Sequence, residues 1–154
     1  MSGTAISIFD HQIIETMRES KAPKPMGLYP YVRKAGNLLF LSGVGPRVAQ
    51  SGSEEANIPG LKYDKNGNYE EFDFEAQCRS VFENVKLILE ENGSSWEQLV
   101  DVTTFLTDMK RDFKTYNRIY AEYFKANQPC RTTVEVNALP SPITIELKCI
   151  AEIS

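Results

Sequence analysis

The residues of this chain best suited to chemistry are an arginine and a glutamate near its C-terminal end. Arg131 lies in the segment PCRTTVEV, residues 129–136, and Glu146 lies in the segment ITIELK, residues 143–148. Both segments are typical of strands, because β-branched residues dominate and polarity alternates with period two. On adjacent strands, a guanidinium and a carboxylate can converge on one site. Such a site would hold an anionic substrate and move a proton or a water molecule beside it.

The composition is that of one globular domain. The chain has 154 residues, a net charge of −4 and no basic run, so nucleic acid is not an expected partner. No apolar run approaches a membrane span, and residues 1–10 lack the features of a signal peptide, so we expect a cytoplasmic protein. Three widely spaced cysteines and a single histidine, His11, argue against a disulfide framework and against a metal site.

The N-terminal part of the chain is predicted to be an appendage. Residues 1–25 include a candidate amphipathic helix over residues 6–17 and end in a proline-rich stretch, which stops a helix. The main domain is predicted over residues 26–154. Within it, residues 47–69 are rich in Gly, Ser, Asn and Glu and are predicted to form a long loop, with Asn66-Gly67 turning a short hairpin near its end.

Turn and periodicity signals place the other elements. Gly36-Asn37 predicts a hairpin between two early strands. Apolar residues at helical spacing predict a helix that begins after the N-cap Asp73 and ends at Gly93. A strand over residues 100–106 and a second helix over residues 112–125 follow before the two C-terminal strands.

This order of elements predicts a two-layer α+β domain in which both helices pack on one face of a single mixed sheet. One face of the last strand is apolar: Ile143, Ile145, Leu147 and Cys149. The opposite face of the sheet is predicted to combine polar side chains from both C-terminal strands: Arg131, Thr133, Glu135, Thr144, Glu146 and Lys148. No further element is predicted to cover that face, so it must be solvated or shared between subunits. We therefore expect several sheets to close into a barrel with the pocket at a subunit boundary.

Particular motifs resemble a known family over residues 27–152. The most specific are Pro129-x-Arg131-x-x-Val134-Glu135-Val136, Leu139-Pro140 and Ile145-Glu146. Supporting motifs are Gly27-x-Tyr29, Gly36-Asn37, Ser42-Gly43 and Phe113-x-x-Tyr116-Asn117. Together they resemble the reactive intermediate deaminase family, RidA/YjgF. The resemblance implies a chorismate-mutase-like α+β fold and a homotrimer with ligand sites between subunits.

The resemblance also implies roles for individual residues. Arg131 would pair with the carboxylate of a small-molecule substrate, which suits its forked guanidinium. Glu146 would position or deprotonate the water that attacks an imine carbon and return a proton to the departing nitrogen. The other implied pocket residues are the aromatic Tyr29, the hydroxyl of Ser42, the amide of Asn117 and the hydroxyl of Thr133. Many relatives carry a cysteine at the position of Thr133, so thiol chemistry is excluded there.

Each of these residues also has a structural interpretation. Arg131 could pair only with Glu135 or Glu146, and Glu146 could pair only with Lys148 or Arg131. Three of the pocket residues could equally pack or cap backbone groups: Tyr29, Ser42 and Asn117.

Within the family, residues 24–36 resemble the branch containing 2-aminomuconate deaminase, which removes ammonia from an enamine dicarboxylate during aromatic-ring breakdown. Three cations would suit a second carboxylate, with surface solvation as the alternative: Arg33, Lys34 and Arg47. The leading hypothesis is thus hydrolytic deamination of an enamine or imine carboxylic acid without metal or organic cofactor. The alternative is a small-molecule-binding or regulatory trimer with little catalysis. An RNA-acting protein is disfavoured by the acidic balance.

Overall fold

A computed structural model describes residues 20–49 and 57–153. The candidate helix over residues 6–17 lies outside the described residues, as does the part of the predicted loop at residues 50–56. The elements are the strands and helices β1 Val32–Ala35, β2 Leu38–Leu41, β3 Leu61–Tyr63, β4 Tyr69–Phe72, α1 Phe74–Glu91, β5 Leu99–Leu106, α2 Met109–Tyr123, β6 Cys130–Glu135 and β7 Ile145–Glu152, with a 3₁₀ turn at Trp96–Gln98.

The main sheet has the strand order β1-β2-β7-β5-β6, and β3 and β4 form a separate two-stranded hairpin. Strands β5 and β6 run parallel, whereas the other neighbours in the main sheet are antiparallel. The predicted α+β class with a mixed sheet is therefore confirmed. Both predicted turns are present, with Gly36 at a φ of 61° and Gly67 at a φ of 82°, values that favour glycine.

The helices begin at capped positions. Asp73 is the N-cap of α1, as predicted, and its carboxylate accepts a hydrogen bond from the Ala76 N–H at 3.1 Å. The second helix begins at Met109, earlier than the predicted residue 112, because Asp108 caps it by accepting from the Arg111 N–H at 2.9 Å.

The core lies between the helices and one face of the sheet. Phe82 of α1 is fully buried, and its ring contacts a cluster of aromatic side chains: Trp96, Tyr116, Tyr120, Tyr123 and Phe124. The predicted apolar face of β7 is confirmed, since Ile145, Leu147 and Cys149 are all buried. Both helices therefore cover the same side of the sheet, and we call its opposite side the outer face.

The predicted polar face is wrong for β6. Strand β5 lies between β6 and β7, so the strands that carry Arg131 and Glu146 are not adjacent. In the parallel register Thr133 pairs with Thr104, whose hydroxyl is hydrogen-bonded to the Tyr116 hydroxyl of α2 at 2.6 Å. Directly paired residues share a face, so Thr133 lies on the helix side of the sheet.

The same alternation places Arg131 and Glu135 on the helix side, whereas Glu146 of β7 pairs with Phe105 of β5 and lies on the outer face. Alternation along each strand was predicted correctly. Which residues of two different strands share a face of the sheet depends on the pairing register, and alternation alone does not determine that register.

Thr144 also departs from the prediction. It precedes β7 and is buried, and its N–H and hydroxyl both donate to Oε1 of Gln77 in α1 at 2.8 Å. This contact ties the start of β7, and thus the strand that carries Glu146, to the first helix.

We predict that Tyr116→Phe destabilises the fold. Tyr116 and Thr104 are both fully buried, and the substitution leaves the Thr104 hydroxyl without its partner, at a cost of about 1–3 kcal/mol. In a domain of this size the melting temperature should fall by roughly 2–4 °C per kcal/mol. Tyr69→Phe is the matched control, because the Tyr69 side chain is exposed. Equal melting temperatures for both variants would show that the buried hydroxyl pair does not stabilise the fold.

Candidate functional site

Arg131 is held against the face of α2. Its Nη1 donates to Oδ1 of Asn117 at 2.9 Å, and its guanidinium lies 4.7 Å from the ring centroid of Tyr120 and 5.4 Å from that of Tyr116. Aromatic faces attract a guanidinium and fix its plane. One donor is used by Asn117, so several N–H groups stay available to an anion.

The carboxylates suggested as structural partners of Arg131 do not bind it. Glu135 instead accepts a hydrogen bond from the Met109 N–H at the start of α2, at 2.6 Å. Glu146 lies on the other face of the sheet. Among residues 20–49 and 57–153, Arg131 forms no ion pair.

Two buried hydroxyls accompany this arginine. Within the described part of the chain, neither Oγ1 of Thr133 nor Oη of Tyr120 has a hydrogen-bond partner. A buried polar group without a partner is costly, so its presence calls for a physical reason such as a ligand. Burial raises the pKa of Tyr120, and the positive charge of Arg131 opposes that rise. We call Arg131, Asn117, Thr133 and Tyr120 the arginine half-site.

Tyr120 is the member of this group that was not predicted from the sequence. A signal was available: Tyr116, Asn117 and Tyr120 are spaced by three and four residues, so they share one helical face. Asn117 and Thr133, both predicted pocket residues, do lie beside Arg131. Whether they bind substrate stays a prediction.

Glu146 is seated over a glycine. A Cβ placed on Gly43 would lie 2.5 Å from Oε1 of Glu146, so the carboxylate occupies the space that any other residue would fill. Gly43 follows β2, and the next residue, Val44, is held beside β7 by two backbone hydrogen bonds with Leu147 at 2.8 and 2.9 Å. The predicted Ser42 precedes Gly43 and donates its hydroxyl to the Pro30 carbonyl at 2.6 Å.

The electrostatics of Glu146 favour proton acceptance. Burial raises the pKa of this carboxyl, and the positive charge of Arg47 partly opposes the rise. In the part of the chain that the structure describes, Glu146 forms no ion pair, and Lys148 on the same face is exposed. A carboxylate with a raised pKa and free oxygens is suited to general base chemistry.

An open cleft lies beside Gly43, the glycine over which the Glu146 carboxylate is placed, although Glu146 itself does not line it. Its wall contains Tyr29, Ser42, Gly43 and Arg47 among others. The Tyr29 side chain is partly exposed, and its hydroxyl accepts from the Met26 N–H at 3.2 Å. We call Glu146, Gly43, Ser42 and Tyr29 the glutamate half-site. Of the six predicted site residues, Arg131, Asn117 and Thr133 thus lie together on the helix side of the sheet, Glu146 lies on the outer face at Gly43, and Ser42 and Tyr29 line the cleft beside Gly43.

A metal site, a reactive thiol and a membrane-spanning helix each place their own requirements on the residues that the structure describes. These residues contain no cluster of three or more histidine, cysteine or acidic side chains able to hold a metal ion. Burial raises the pKa of Cys78 and of Cys149 to about 12, so these two thiols stay protonated. Over the same ranges, none of the helices is both long and apolar enough to cross a membrane.

Comparisons with known proteins identify the family of this chain. The family model described as Endoribonuclease L-PSP matches residues 19–153. RutC family protein PH0854 of Pyrococcus horikoshii is 39% identical over 137 residues, which cover 89% of this chain and 96% of that protein. Reactive Intermediate Deaminase A, chloroplastic, of Arabidopsis thaliana is 36% identical over 137 residues, covering 89% of this chain and 65% of the relative.

Solved structures show the same fold. The structure of Escherichia coli TdcF with bound serine has a TM-score of 0.72 and 32% identity, covering 87% of this chain and 94% of that one. The structure of the YjgF gene product of Escherichia coli has a TM-score of 0.72 and 31% identity, covering 89% and 97%. The chain therefore belongs to the RidA/YjgF family, whose model carries the description Endoribonuclease L-PSP.

Proposed function

We propose that this protein is a cofactor-independent deaminase that hydrolyses enamine or imine carboxylic acids and releases ammonia. One observation carries the proposal: an arginine with free donors and a partly buried carboxylate with a raised pKa lie on opposite faces of the same sheet. Neither half-site can act alone on a substrate that needs both. We therefore propose a homotrimer in which Arg131 of one subunit and Glu146 of the next form one site.

The outer face of the sheet supports this assembly. It carries Glu146 together with the apolar side chains of Phe40, Phe105 and Ile150, of which Phe40 is 38% exposed. No helix of the described residues covers these side chains. A sheet face with exposed apolar groups is stabilised by a second protein surface, and closed rings of subunits supply one.

The proposed reaction needs only orientation and one proton acceptor. Arg131 holds the substrate carboxylate, and the hydroxyls of Thr133 and Tyr120 donate to the same group. Glu146 takes a proton from water as the water oxygen bonds to the imine carbon, and the C=N electron pair moves to nitrogen, which receives that proton from Glu146 to give a carbinolamine. Glu146 then takes the hydroxyl proton of the carbinolamine and passes it to the amino nitrogen; the C–N bond breaks as the C=O bond forms, and the carbonyl product and ammonia leave. An enamine enters this route after protonation at carbon.

These demands match what the two half-sites provide. Imines hydrolyse readily in water, so holding the reactants and stabilising charge are sufficient in kind. For the substrate we propose an enamine dicarboxylate of the 2-aminomuconate type, formed in aromatic-compound catabolism. The support is that residues 24–36, which resemble that branch, form part of the cleft wall through Pro25, Tyr29 and Tyr31.

The alternative is a small-molecule-binding or regulatory trimer with little turnover. The TdcF structure, with its bound serine, is a relative that holds a small carboxylic acid. RNA is not proposed as a partner, because the net charge is −4. The proposed location is the cytoplasm, since Cys130 is a free and exposed thiol, which suits a reducing compartment.

The proposal predicts that Glu146→Gln abolishes most turnover. The amide keeps the size of the side chain but cannot accept the proton of water, so ammonia release should fall about 10²–10⁴-fold. Release is measured with freshly generated 2-aminomuconate and 2-iminobutanoate. Binding of muconate, a stable dicarboxylate, should change little. Glu152→Gln is the control, since Glu152 is exposed on the same face of β7. Intact turnover with a lowered melting temperature would make Glu146 a structural residue.

The proposal also predicts that Arg131→Lys impairs catalysis although the charge is kept. An ammonium cannot reproduce two parallel hydrogen bonds or the stacking on Tyr120, so kcat/KM should fall about 30- to 1000-fold, which corresponds to roughly 2–4 kcal/mol. Arg33→Lys on the exposed strand β1 is the matched control. Wild-type kinetics in Arg131→Lys would reassign Arg131 to a structural role.

Gly43→Ala tests whether the missing side chain at Gly43 determines the position of the Glu146 carboxylate. The new Cβ would stand where Oε1 of Glu146 lies, and because the carboxylate ends a flexible side chain it should be displaced rather than the strand. Displacing a catalytic group by about 1 Å can cost about 10²-fold in rate. In Gly45→Ala, the control, the Cβ would meet only Cδ1 of Ile143, at 3.0 Å. Equal turnover in both variants would contradict the seating of Glu146 over Gly43.

The assembly is checked by light scattering. A homotrimer should give about three times the chain mass of 17.4 kDa at micromolar concentration. A stable monomer that still releases ammonia would contradict a site shared between subunits.

A further inference from the structure

The cleft beside Gly43 contains an arginine that the proposed reaction does not use. Arg47 lines the same cleft as Gly43 and Tyr29, and its side chain is half-buried. It lies close enough to Glu146 to influence the pKa of that carboxyl without forming an ion pair with it. Arg47 therefore shares this cleft with Gly43, over which the Glu146 carboxylate is placed.

The backbone around Arg47 is firmly held. Nδ2 of the buried Asn84 donates to the carbonyls of Gly45 and Arg47, at 2.9 and 2.6 Å. The following residue, Val48, exchanges two backbone hydrogen bonds with Asn57, at 2.8 and 2.9 Å. Because one buried amide binds both carbonyls, the backbone position of Arg47 is fixed.

The Arg47 side chain is also held, by a hydrogen bond from one of its N–H groups. Nη2 of Arg47 donates to the Lys24 carbonyl at 2.9 Å. Within residues 20–49 and 57–153, Arg47 has no carboxylate partner. A guanidinium has five N–H donors, so an oriented fork stays available to a planar anion that enters the cleft. The other two cations considered for this role, Arg33 and Lys34, are exposed on β1 and do not line the cleft.

We propose that Arg47 binds a second carboxylate of the substrate and so selects dicarboxylic over monocarboxylic enamines and imines. The inference rests on the proposed function, because it takes Arg131 as the binder of the first carboxylate and Glu146 as the base between the two. A substrate with one carboxylate would leave the Arg47 fork empty. The structural alternative is that Arg47 serves only to tie the segment at Lys24 to the loop after β2.

Binding of two unreactive probes separates these roles without any turnover. Muconate and sorbate share the same six-carbon diene chain but carry two carboxylates and one, respectively. By calorimetry, the wild-type protein should bind muconate about 10- to 100-fold more tightly than sorbate, as expected for one added charge-assisted contact. Arg47→Gln should remove this preference while leaving sorbate binding unchanged. Arg131→Gln should weaken both probes.

The control is Arg33→Gln, which removes one positive charge from the exposed strand β1 and should keep the preference. If Arg33→Gln and Arg47→Gln lower it equally, the effect is general electrostatics and the proposal is wrong. Equal affinity of the wild-type protein for muconate and sorbate would also overturn the proposal. This measurement uses only the wild-type protein, so it does not depend on whether a variant folds. Arg47→Lys, which keeps the charge, should retain only part of the preference, because an ammonium lacks the fork.

Turnover separates this inference from the proposed function. If wild-type protein releases ammonia from 2-iminobutanoate and 2-aminomuconate, Arg47→Gln should lower kcat/KM about 10- to 100-fold more for the dicarboxylate than for the monocarboxylate, which senses only the changed pKa of Glu146. Equal losses for both substrates would refute selection by Arg47. A wild-type protein inactive on both would defeat the proposed deaminase, whereas a muconate preference that depends on Arg47 would still support the second carboxylate contact.

Discussion

The parallel pairing of β6 with β5 is the constraint on which the candidate site depends. It turns Arg131 and Thr133 toward α2, while the antiparallel pairing of β7 with β5 turns Glu146 to the outer face. A shift of either register by one residue would move every side chain of that strand to the opposite face. Because these registers also bury Leu147 and Cys149, the core stabilises the separation of the arginine from the glutamate.

Each half-site is prepared by its own surroundings. The aromatic rings of α2 orient the guanidinium of Arg131, which stays exposed and keeps donors for an anion. On the other face, the absence of a side chain at Gly43 lets the Glu146 carboxylate lie in a partly buried place, where its pKa rises. Keeping the two groups on different faces prevents an ion pair between them within one subunit.

Much of the fold could be predicted from the sequence, because local signals determined it. The cap at Asp73, the turn at Gly36 and the apolar alternation of β7 each depend on residues close in the chain. The positions of Arg131 and Glu146 relative to each other could not be predicted. They depend on β5 pairing between β6 and β7, which is a long-range contact. The unpaired hydroxyl of Tyr120 likewise becomes visible only when α2 packs over β6. Motif resemblance named the candidate site residues without showing that one chain places Arg131 and Glu146 on opposite faces of its sheet.

Subunit mixing tests the shared site most directly. Arg131→Ala and Glu146→Gln variants, each nearly inactive, are unfolded together at equal concentration, refolded, and assayed for ammonia release. If Arg131 of one subunit works with Glu146 of the next, random trimers contain intact sites at about one boundary in four, so about 25% of wild-type activity should return. Activity no greater than the sum of the two separate variants, with mixed trimers confirmed by mass spectrometry, would contradict a site formed between subunits.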